Sequence, residues 1–379
     1  MSDLHSGWTD EPSLDAWLDP GSLTSRVGSA PRVALLAHNP LNAVTGGIWR
    51  VSGSDGSVVV KVVTDGRRHE GPDWWAASAV DHHWNSWRRE VLVYRSGYPR
   101  LLEPDGLGAP ALLDERELDD GTVVLVLEDV AGRTGGALTV DDLVAFAAAL
   151  GRAQGRLAVG GNWDRPWLSR RFLREYAESK PVDDALLLDP AAWREPMVAA
   201  HLEPLRGGVE SLRARRHELT AYAERCPQTF CHLDAWPANI IRRSDGRFAL
   251  LDWAFCGHGA LGEDVSNLVP DSIFDLLVPH ARLDELASRA EAAYVEGVRT
   301  GGWHGDARWL RLGIRSPAAK YHWLGARLLV DAGRPRRIVY GGREVDADEF
   351  YAARAAGVAL LCRWADEALA LAGELGLRP

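Results

Sequence analysis

The sequence has little lysine, few cysteines and no long apolar run, and each shortage excludes a class of protein. Its four cysteines form no CxxC pair and no zinc-type spacing: Cys226, Cys231, Cys256 and Cys362. This pattern excludes a disulfide or zinc framework and favours a reduced, cytoplasmic location. No stretch of about 18 apolar residues occurs, so no membrane span and no membrane partner are predicted. The start of the chain also lacks the basic and apolar regions of a signal peptide.

The net charge and the absence of two motifs argue against a nucleic-acid-binding protein and against a P-loop nucleotide-binding protein. The chain has 379 residues and a net charge of -10, which argues against a nucleic-acid partner. It contains neither G-x-G-x-x-G nor a Walker A motif, so a P-loop nucleotide site is not expected. Only three of its 43 basic residues are lysines, at Lys61, Lys180 and Lys320. A lysine among so many arginines is favoured where a compact, flexible ammonium group is needed.

The most informative stretch is residues 229–252, TFCHLDAWPANIIRRSDGRFALLD. Within it, His232, Asp234 and Asn239 fit the spacing H-x-D-x-x-x-x-N, which is the catalytic-loop spacing of kinase-fold phosphotransferases. There the aspartate accepts the proton of the acceptor hydroxyl, and the asparagine binds Mg²⁺. Taken singly, each residue fits an ordinary turn or cap. Their combination at these spacings favours the catalytic interpretation.

A turn sequence follows the catalytic loop. Ser244-Asp245-Gly246 separates two apolar runs, which predicts a β-hairpin. The hairpin would carry Asn239 at its entry and Asp252 at its exit. Both residues would then offer oxygen ligands to one Mg²⁺ ion.

These residues resemble a known family. HLDAWPAN followed by LLDWAFCGHGALGED is similar to the aminoglycoside phosphotransferase family, in the choline-kinase-like branch of the kinase fold. The resemblance is closest over 229–268 and extends more weakly from about residue 33 to the C-terminus. Trp236 stands where protein kinases usually have lysine, and Asp252-Trp253-Ala254 replaces Asp-Phe-Gly without a following Ala-Pro-Glu. These departures favour a small-molecule kinase.

The resemblance implies a fold and a domain organisation. It implies an α+β, bilobal protein-kinase-like fold, with an N-terminal antiparallel sheet lobe and a larger, mainly helical C-terminal lobe. Residues 1–30 are expected to form an extension that packs loosely or makes a short helix. Residues 31–130 would form the nucleotide-covering sheet with one helix, and residues 131–379 the helical lobe with the catalytic loop and acceptor site.

A lysine within a strand is the candidate phosphate ligand. Lys61 lies in VVVKVV, where a buried ammonium group needs a partner; an exposed strand edge is the alternative. Such a lysine binds the α and β phosphates of ATP in kinases. The resemblance assigns Glu90, on a helix predicted over 84–94, as its partner, with a solvated helix face as the alternative. It also implies two further contacts with the nucleotide: Gly46 and Gly47 near the phosphates, and the backbone at Glu128 and Val130 against adenine.

Several helices are predicted beyond the sheet. Thr139 and Asp142 indicate a helix start. Further helices are expected at 168–180, 191–203, 208–225, 283–298, 309–329 and 347–375. By resemblance, Asp264 ties its loop to the catalytic loop, and the C-terminal helices supply walls of the acceptor site, with Arg315, Lys320, Tyr321, His322 and Trp323 as candidates.

Together these features predict a phosphotransferase that uses ATP and Mg²⁺. It would transfer the γ-phosphate to a hydroxyl of a small molecule, such as an aminoglycoside, an amino sugar, a nucleoside antibiotic or a related metabolite. Two alternatives stay open: a kinase of peptide Ser or Thr in a peptide-modifying pathway, and a non-catalytic nucleotide-binding scaffold.

Overall fold

The computed structural model describes residues 13–333 and 337–378. The chain forms two compact units. The first contains the residues up to Ala79 together with Pro110–Val130, and the second contains Val80–Ala109 together with the chain from Ala131 onward. The segment 80–109 therefore groups with the second unit. The division at residues 30 and 130 stays a prediction.

Thirteen strands and twelve α-helices are formed by the described residues. The strands are β1 (Arg32–Leu35), β2 (Thr45–Ser52), β3 (Ser57–Val63), β4 (Leu107–Gly108), β5 (Leu112–Glu117), β6 (Val123–Glu128), β7 (Arg133–Thr134), β8 (Gln228–Cys231), β9 (Ile240–Arg242), β10 (Phe248–Leu250), β11 (Gly257–Ala260), β12 (Arg337–Ile338) and β13 (Glu344–Val345). The helices are α1 (Thr24–Val27), α2 (Arg89–Arg95), α3 (Val140–Gly160), α4 (Phe172–Ser179), α5 (Asp184–Leu188), α6 (Pro196–His201), α7 (Arg206–Arg225), α8 (Glu263–Phe274), α9 (Leu283–Thr300), α10 (Ala307–Arg315), α11 (Leu324–Val330) and α12 (Ala347–Glu374). None of these helices is long and apolar enough to cross a membrane.

The first unit is a five-stranded antiparallel sheet in the order β1-β2-β3-β6-β5. Alternation along β3 sends Val58, Val60 and Val62 into one core, and Lys61 to the opposite face. At the start of β2 the backbone bulges at Gly47, which has φ +148°. A Cβ there would lie 2.2 Å from the Trp49 ring, so only glycine fits.

The N-terminal segment covers one face of this sheet. Leu14, Leu18, Leu23 and Val27 are buried and join the core formed by β2, β3 and β6. Loose packing was one expectation for residues 1–30; the described part instead packs tightly, in short helical turns. Residues 1–12 lie outside the described residues. The leucine spacing is irregular because the turns are short, so no helical period marks this segment in the sequence.

In the second unit, a close helix pair supports the site. Helices α3 and α9 approach through glycines, because a Cβ on Gly151 would lie 2.3 Å from the Tyr294 carbonyl oxygen. The same is true of Gly155 and the Val298 carbonyl oxygen. Helix α3 begins with the predicted capping box of Thr139 and Asp142.

The predicted hairpin around Asp245 is confirmed. Strands β9 and β10 pair antiparallel, with Ile240 opposite Leu250, in a sheet ordered β4-β10-β9-β7. Strand β8 instead pairs with β11. The helix predicted over 84–94 is shorter than expected: α2 begins at Arg89, and residues 80–88 form turns. The helix predicted over 309–329 is broken by a 3₁₀ segment at Ser316–Tyr321, where Pro317 interrupts the α-helix.

Candidate active site

The catalytic loop follows β8 and is fixed by a buried carboxylate. Asp264, at the start of α8, accepts hydrogen bonds from the backbone N–H of His232 (2.9 Å) and of Leu233 (2.7 Å). Leu233 has a positive φ of 66°, a strained conformation that the surrounding bonds must hold. The predicted structural role of Asp264 is therefore confirmed.

A polar chain connects Asp264 to the glycine-rich helix pair. Gln154 of α3 donates to Asp264 Oδ2 at 2.7 Å. Tyr294 of α9 donates its hydroxyl to Gln154 Oε1 at 2.6 Å. Because the two helices pack closely, Tyr294 and Gln154 hold the carboxylate that orients the loop. The His232 ring packs edge-on against Trp253, with ring centroids 5.0 Å apart, and so braces the loop.

Asp234 and Asn239 contact each other directly. The Asn239 side-chain amide donates to Asp234 Oδ2 (2.7 Å) and to the Asp234 carbonyl oxygen (3.0 Å). The short 3₁₀ turn Pro237–Asn239 brings the asparagine back toward the aspartate. With both amide hydrogens directed at Asp234, Asn239 Oδ1 is oriented as an acceptor for another ligand.

Asp252 follows β10 at the exit of the hairpin. Its backbone is left-handed, with φ 56° and ψ 75°, which turns the chain sharply after the strand. The Leu251 N–H donates to the Asn239 carbonyl oxygen at 2.9 Å, so the segments carrying Asn239 and Asp252 are joined. Glu90 of α2 accepts from the Trp253 N–H at 3.3 Å and lies next to this turn.

A buried arginine that sequence reasoning missed organises the same region. The Arg89 guanidinium is fully buried and donates to five carbonyl oxygens, those of Asp81, His83, Trp84, Trp167 and Ala254. It thereby ties α2 to the turn after Asp252. Burial lowers the pKa of Arg89 to about 10, so the group stays charged near neutral pH. Its partners are backbone oxygens, two of them far along the chain at Trp167 and Ala254, and the sequence carries no signal for them.

Burial, two carboxylates and one lysine determine the pKa of Asp234. Burial raises the pKa of the Asp234 carboxyl to about 7; Lys320 opposes this rise, whereas Asp252 and Asp271 add to it. Burial likewise raises the pKa of Asp271 to about 6. A carboxylate whose pKa lies near neutrality suits general-base chemistry. Asp271 was not singled out in the sequence, because its spacing from Asp234 carries no motif.

Lys320 belongs to a buried polar cluster with Asp271. Its ammonium group donates to Asn267 Oδ1 and lies 4.0 Å from Asp271 Oδ2. Tyr321 donates its hydroxyl to the same Asp271 oxygen at 2.9 Å. Two of the residues expected at the acceptor site thus contact a carboxylate that acts electrostatically on Asp234.

The other acceptor-wall candidates lie elsewhere. Arg315 pairs with Glu291 (2.6 Å) and Glu367 (2.8 Å) on neighbouring helices, which indicates a packing role. His322 and Lys180 line a pocket whose lining includes neither Asp234 nor Lys320. On the catalytic loop itself, Trp236 packs against Tyr340 with ring centroids 4.9 Å apart.

Asn239 and Asp252 fit a magnesium ion. Mg²⁺ is commonly held by one or two protein oxygens together with water and substrate phosphates. The Asn239 amide oxygen and the Asp252 carboxylate supply such a pair at the two ends of one hairpin. A site built from several His, Cys, Asp or Glu side chains does not occur among residues 13–333 and 337–378.

The nucleotide-binding candidates in the first unit lie on strands of its sheet or directly beyond one. Lys61 is 4% exposed and lies opposite Ile48 and Leu125 in the sheet, so the expected burial is observed. Gly46 and Gly47 lie in β2, where the bulge occurs. Glu128 ends β6 and accepts from the Ala111 N–H, and Val130 is buried just beyond it. Their contacts with a nucleotide, and the pairing of Lys61 with Glu90, stay predictions.

The joined Asp234, Asn239 and Asp252 segments define a phosphotransferase of the kinase type. A family model described as the phosphotransferase enzyme family (APH) matches residues 49–308, more than half of the chain. The protein belongs to this family, so the predicted family and the prediction of a phosphotransferase with an alcohol-group acceptor are confirmed. The five-stranded antiparallel sheet and the mainly helical second unit confirm the predicted α+β, protein-kinase-like fold.

Solved structures with limited similarity include three kinases. Amicoumacin kinase hAmiN, in complex with AMP-PNP, Ca²⁺ and Ami, is 15% identical with a TM-score of 0.46, over 89% of this chain and 87% of that one. Choline kinase LicA from Streptococcus pneumoniae is 14% identical with a TM-score of 0.45, over 89% and 96%. An aminoglycoside phosphotransferase from Alicyclobacillus acidocaldarius is 14% identical with a TM-score of 0.47, over 98% of both chains. A search of curated protein sequences finds no match.

Proposed function

We propose that this protein transfers the γ-phosphate of ATP to a hydroxyl group of a small molecule, with Asp234 as the catalytic base. The observation that carries the proposal is the bond between Asn239 and Asp234, next to the hairpin that ends at Asp252. This arrangement would bring a proton acceptor and two metal-ligating oxygens together. The acceptor class includes aminoglycosides, amino sugars, nucleoside antibiotics and related metabolites.

Asp234 acts on the acceptor. Its carboxylate orients the hydroxyl and takes up its proton as the acceptor oxygen bonds to the γ-phosphorus and the bond to the β-phosphate oxygen breaks. Asn239 fixes one carboxylate oxygen, which leaves Oδ1 for the hydroxyl. The nearby Lys320 keeps the carboxylate more acidic than burial alone would. Correct positioning of the hydroxyl supplies much of the rate in such transfers.

Asn239 and Asp252 would hold Mg²⁺. When bound, the ion neutralises charge on the ATP phosphates. Lys61, held by Glu90, would bind the α and β phosphates, and the backbone at Gly46 and Gly47 would approach them. The backbone at Glu128 and Val130 would contact adenine. These assignments rest on the family resemblance and on the burial of Lys61.

The cell compartment is proposed from the cysteines. All four are free, and three of them are buried. Buried free thiols are ordinary in a reducing environment, which supports a cytoplasmic location. The net charge of -10 supports a small-molecule acceptor over a nucleic acid.

The test is a screen for acceptor-dependent ADP release, with Asp234→Asn as the variant and Asp245→Asn as the control. Asp245 is an exposed turn residue of the same hairpin, so its change removes an equal charge outside the site. Asp234→Asn should lower turnover by about 10²–10⁴-fold while nucleotide affinity stays within about twofold. Loss of nucleotide binding together with turnover would instead make Asp234 structural. Nucleotide binding without turnover for any small molecule or peptide would favour the scaffold.

A further inference from the structure

A basic pocket in the second unit is lined by residues of α4 and α7 together with Lys180 and His322. Its volume is about 160 Å³, far above the roughly 10–15 Å³ that admits a water molecule. The lining includes six cationic or titratable nitrogen-bearing side chains: Arg174, Lys180, Arg213, Arg216, His217 and His322. The one acidic side chain in the lining is Glu178.

Two of the arginines are held in place from the rim. Arg213 makes a two-point ion pair with Asp184 (2.8 and 2.9 Å), and Arg174 does the same with Glu224 (2.7 and 2.5 Å). Both carboxylates are more exposed than the arginines that they contact. Because the acids lie outward, the guanidinium groups are oriented without the pocket being filled by carboxylate.

Arg216 differs from Arg174 and Arg213 in the partners of its guanidinium group. Its guanidinium donates to the Arg213 carbonyl oxygen at 2.7 Å, and it forms no ion pair with any of residues 13–333 and 337–378. Burial, and then the charge of Arg213, lowers the pKa of Arg216. A guanidinium has five N–H donors in a planar fork, so most of those on Arg216 stay available to a ligand.

His322 supports the pocket as a neutral group. Its Nε2 donates to the Ala177 carbonyl oxygen and its Nδ1 accepts from Arg213, both at 3.0 Å. Burial lowers the pKa of His322 to about 4, in agreement with this tautomer. The neutral ring thus positions Arg213 without adding a further positive charge.

Lys180 is a buried lysine in the lining of the pocket. Its side chain is 6% exposed, and its ammonium group lies 3.9 Å from the centroid of the Tyr176 ring. The Lys320 ammonium group lies 5.4 Å from the same ring. Burial, with Lys320 as a further cause, lowers the pKa of Lys180 to about 6. Near neutral pH the Lys180 amine is therefore largely unprotonated, and an anion beside it would favour the ammonium form.

We propose that this pocket is a binding site for an oxyanion, a phosphate, sulfate or carboxylate group, held by Arg216 and Lys180. Guanidinium and ammonium groups are the side chains that bind oxyanions best, and the planar fork of Arg216 matches two oxygens at once. The inference does not depend on phosphoryl transfer, because neither Asp234 nor Asn239 lines the pocket.

Sulfate tests the proposal, because its charge does not change around neutral pH. Calorimetric titration of the full chain, without nucleotide, should show one sulfate site. Arg216→Gln and Lys180→Met should each weaken it about tenfold, the loss expected for one charge-assisted contact. Arg215→Gln is the matched control: Arg215 neighbours Arg216 on α7, pairs with Glu218 at 2.7 Å and lies outside the pocket. Asp234→Asn should also bind sulfate normally.

Two results would overturn the proposal. One is the absence of sulfate binding by the unaltered protein. The other is an affinity that is unchanged in both Arg216→Gln and Lys180→Met while each variant keeps the far-ultraviolet spectrum of the unaltered protein. If Asp234→Asn abolished turnover but sulfate did not bind, the anion site would be wrong and the proposed function would still stand.

A second arm identifies the source of the anion. ADP release is measured with sugar phosphates and with the corresponding unphosphorylated sugars. If sugar phosphates are acceptors and Arg216→Gln raises their KM about tenfold with little change in kcat, the pocket holds an anionic group of the acceptor. If they bind at the sulfate site without being phosphorylated, the pocket binds a separate anion. Either result supports an oxyanion site.

Discussion

Replacing Asp234 with asparagine should change the pH dependence of stability. As the pH rises, the free energy of unfolding of the variant should increase relative to that of the unaltered protein. Burial raises the pKa of Asp234 from 3.8 to about 7, so the folded protein keeps a proton that the unfolded chain has lost between these values. Stability of the unaltered protein therefore falls as pH rises through this window. Asparagine resembles the neutral carboxyl and does not titrate, so the variant does not undergo this loss.

The magnitude follows from the width of the window. About two pKa units of it lie between pH 5 and pH 7, which corresponds to ~2.7 kcal/mol at 1.36 kcal/mol per unit. The Asp234 side chain is partly exposed, and the charges of Asp252 and Asp271 act on it, so we expect about half of this value. The free energy of unfolding of Asp234→Asn should thus gain ~1.3 kcal/mol on the unaltered protein between pH 5 and pH 8.

Urea unfolding at pH 5 and at pH 8, followed by tryptophan fluorescence, measures this difference. Buried carboxylates that do not interact with Asp234 contribute equally to both proteins and cancel in the comparison. Asp245→Asn serves as the control, because it makes the same substitution at an exposed position of the turn, outside the buried site. A difference between Asp234→Asn and the unaltered protein that stays constant with pH, or that shrinks at pH 8, would refute the argument from burial.

Two other substitutions test the surroundings of the site. Lys320→Met should shift the acidic limb of the pH–activity profile to higher pH, because Lys320 lowers the pKa of Asp234. Lys320→Arg keeps the positive charge and should leave the limb near its original position. An unshifted limb in Lys320→Met would show that Lys320 does not act on the catalytic base. Arg89→Met should reduce the free energy of unfolding by about 3–5 kcal/mol, because five carbonyl oxygens lose a buried charged donor. Arg88 is its exposed neighbour, so Arg88→Met should reduce the free energy of unfolding by less than about 1 kcal/mol. Urea unfolding measures both values. Equal losses in the two variants would show that the five bonds contribute little.

Local patterns predicted the elements that carry the site. The turn at Ser244-Asp245-Gly246 specifies the hairpin, and the Thr139 capping box specifies the start of α3, because each signal lies within a few residues of the structure that it forms. The spacing of Asp234 and Asn239 is equally local. It indicated a shared catalytic loop but not the direct contact of the two side chains that the structure shows.

Long-range partners could not be predicted in this way. Gln154 contacts Asp264 across 110 residues of chain, and Arg89 contacts Ala254 across 165. Asp271 acts on Asp234 with no motif relating the two. Such pairs are fixed by helix packing, which depends on the whole fold and leaves no periodic trace in the sequence.

The three lysines show what the sequence could and could not predict. All are buried in a chain that otherwise uses arginine: Lys61 is 4% exposed, Lys180 6% and Lys320 8%. The sequence bias predicted that a retained lysine has a particular role, and it led to Lys61 within its strand. The surroundings of Lys180 and Lys320 became visible only when α4, α7 and the segment before α11 were placed.

Calorimetric titration with a non-hydrolysable ATP analogue, with and without Mg²⁺, tests the central claim most directly. The unaltered protein should bind the analogue in a Mg²⁺-dependent manner, and Asp252→Ala should lose the Mg²⁺ dependence, while Asp245→Asn should retain it. Binding that ignores Mg²⁺ in the unaltered protein, or that keeps its Mg²⁺ dependence in Asp252→Ala, would contradict the metal site and the phosphotransfer geometry built on it.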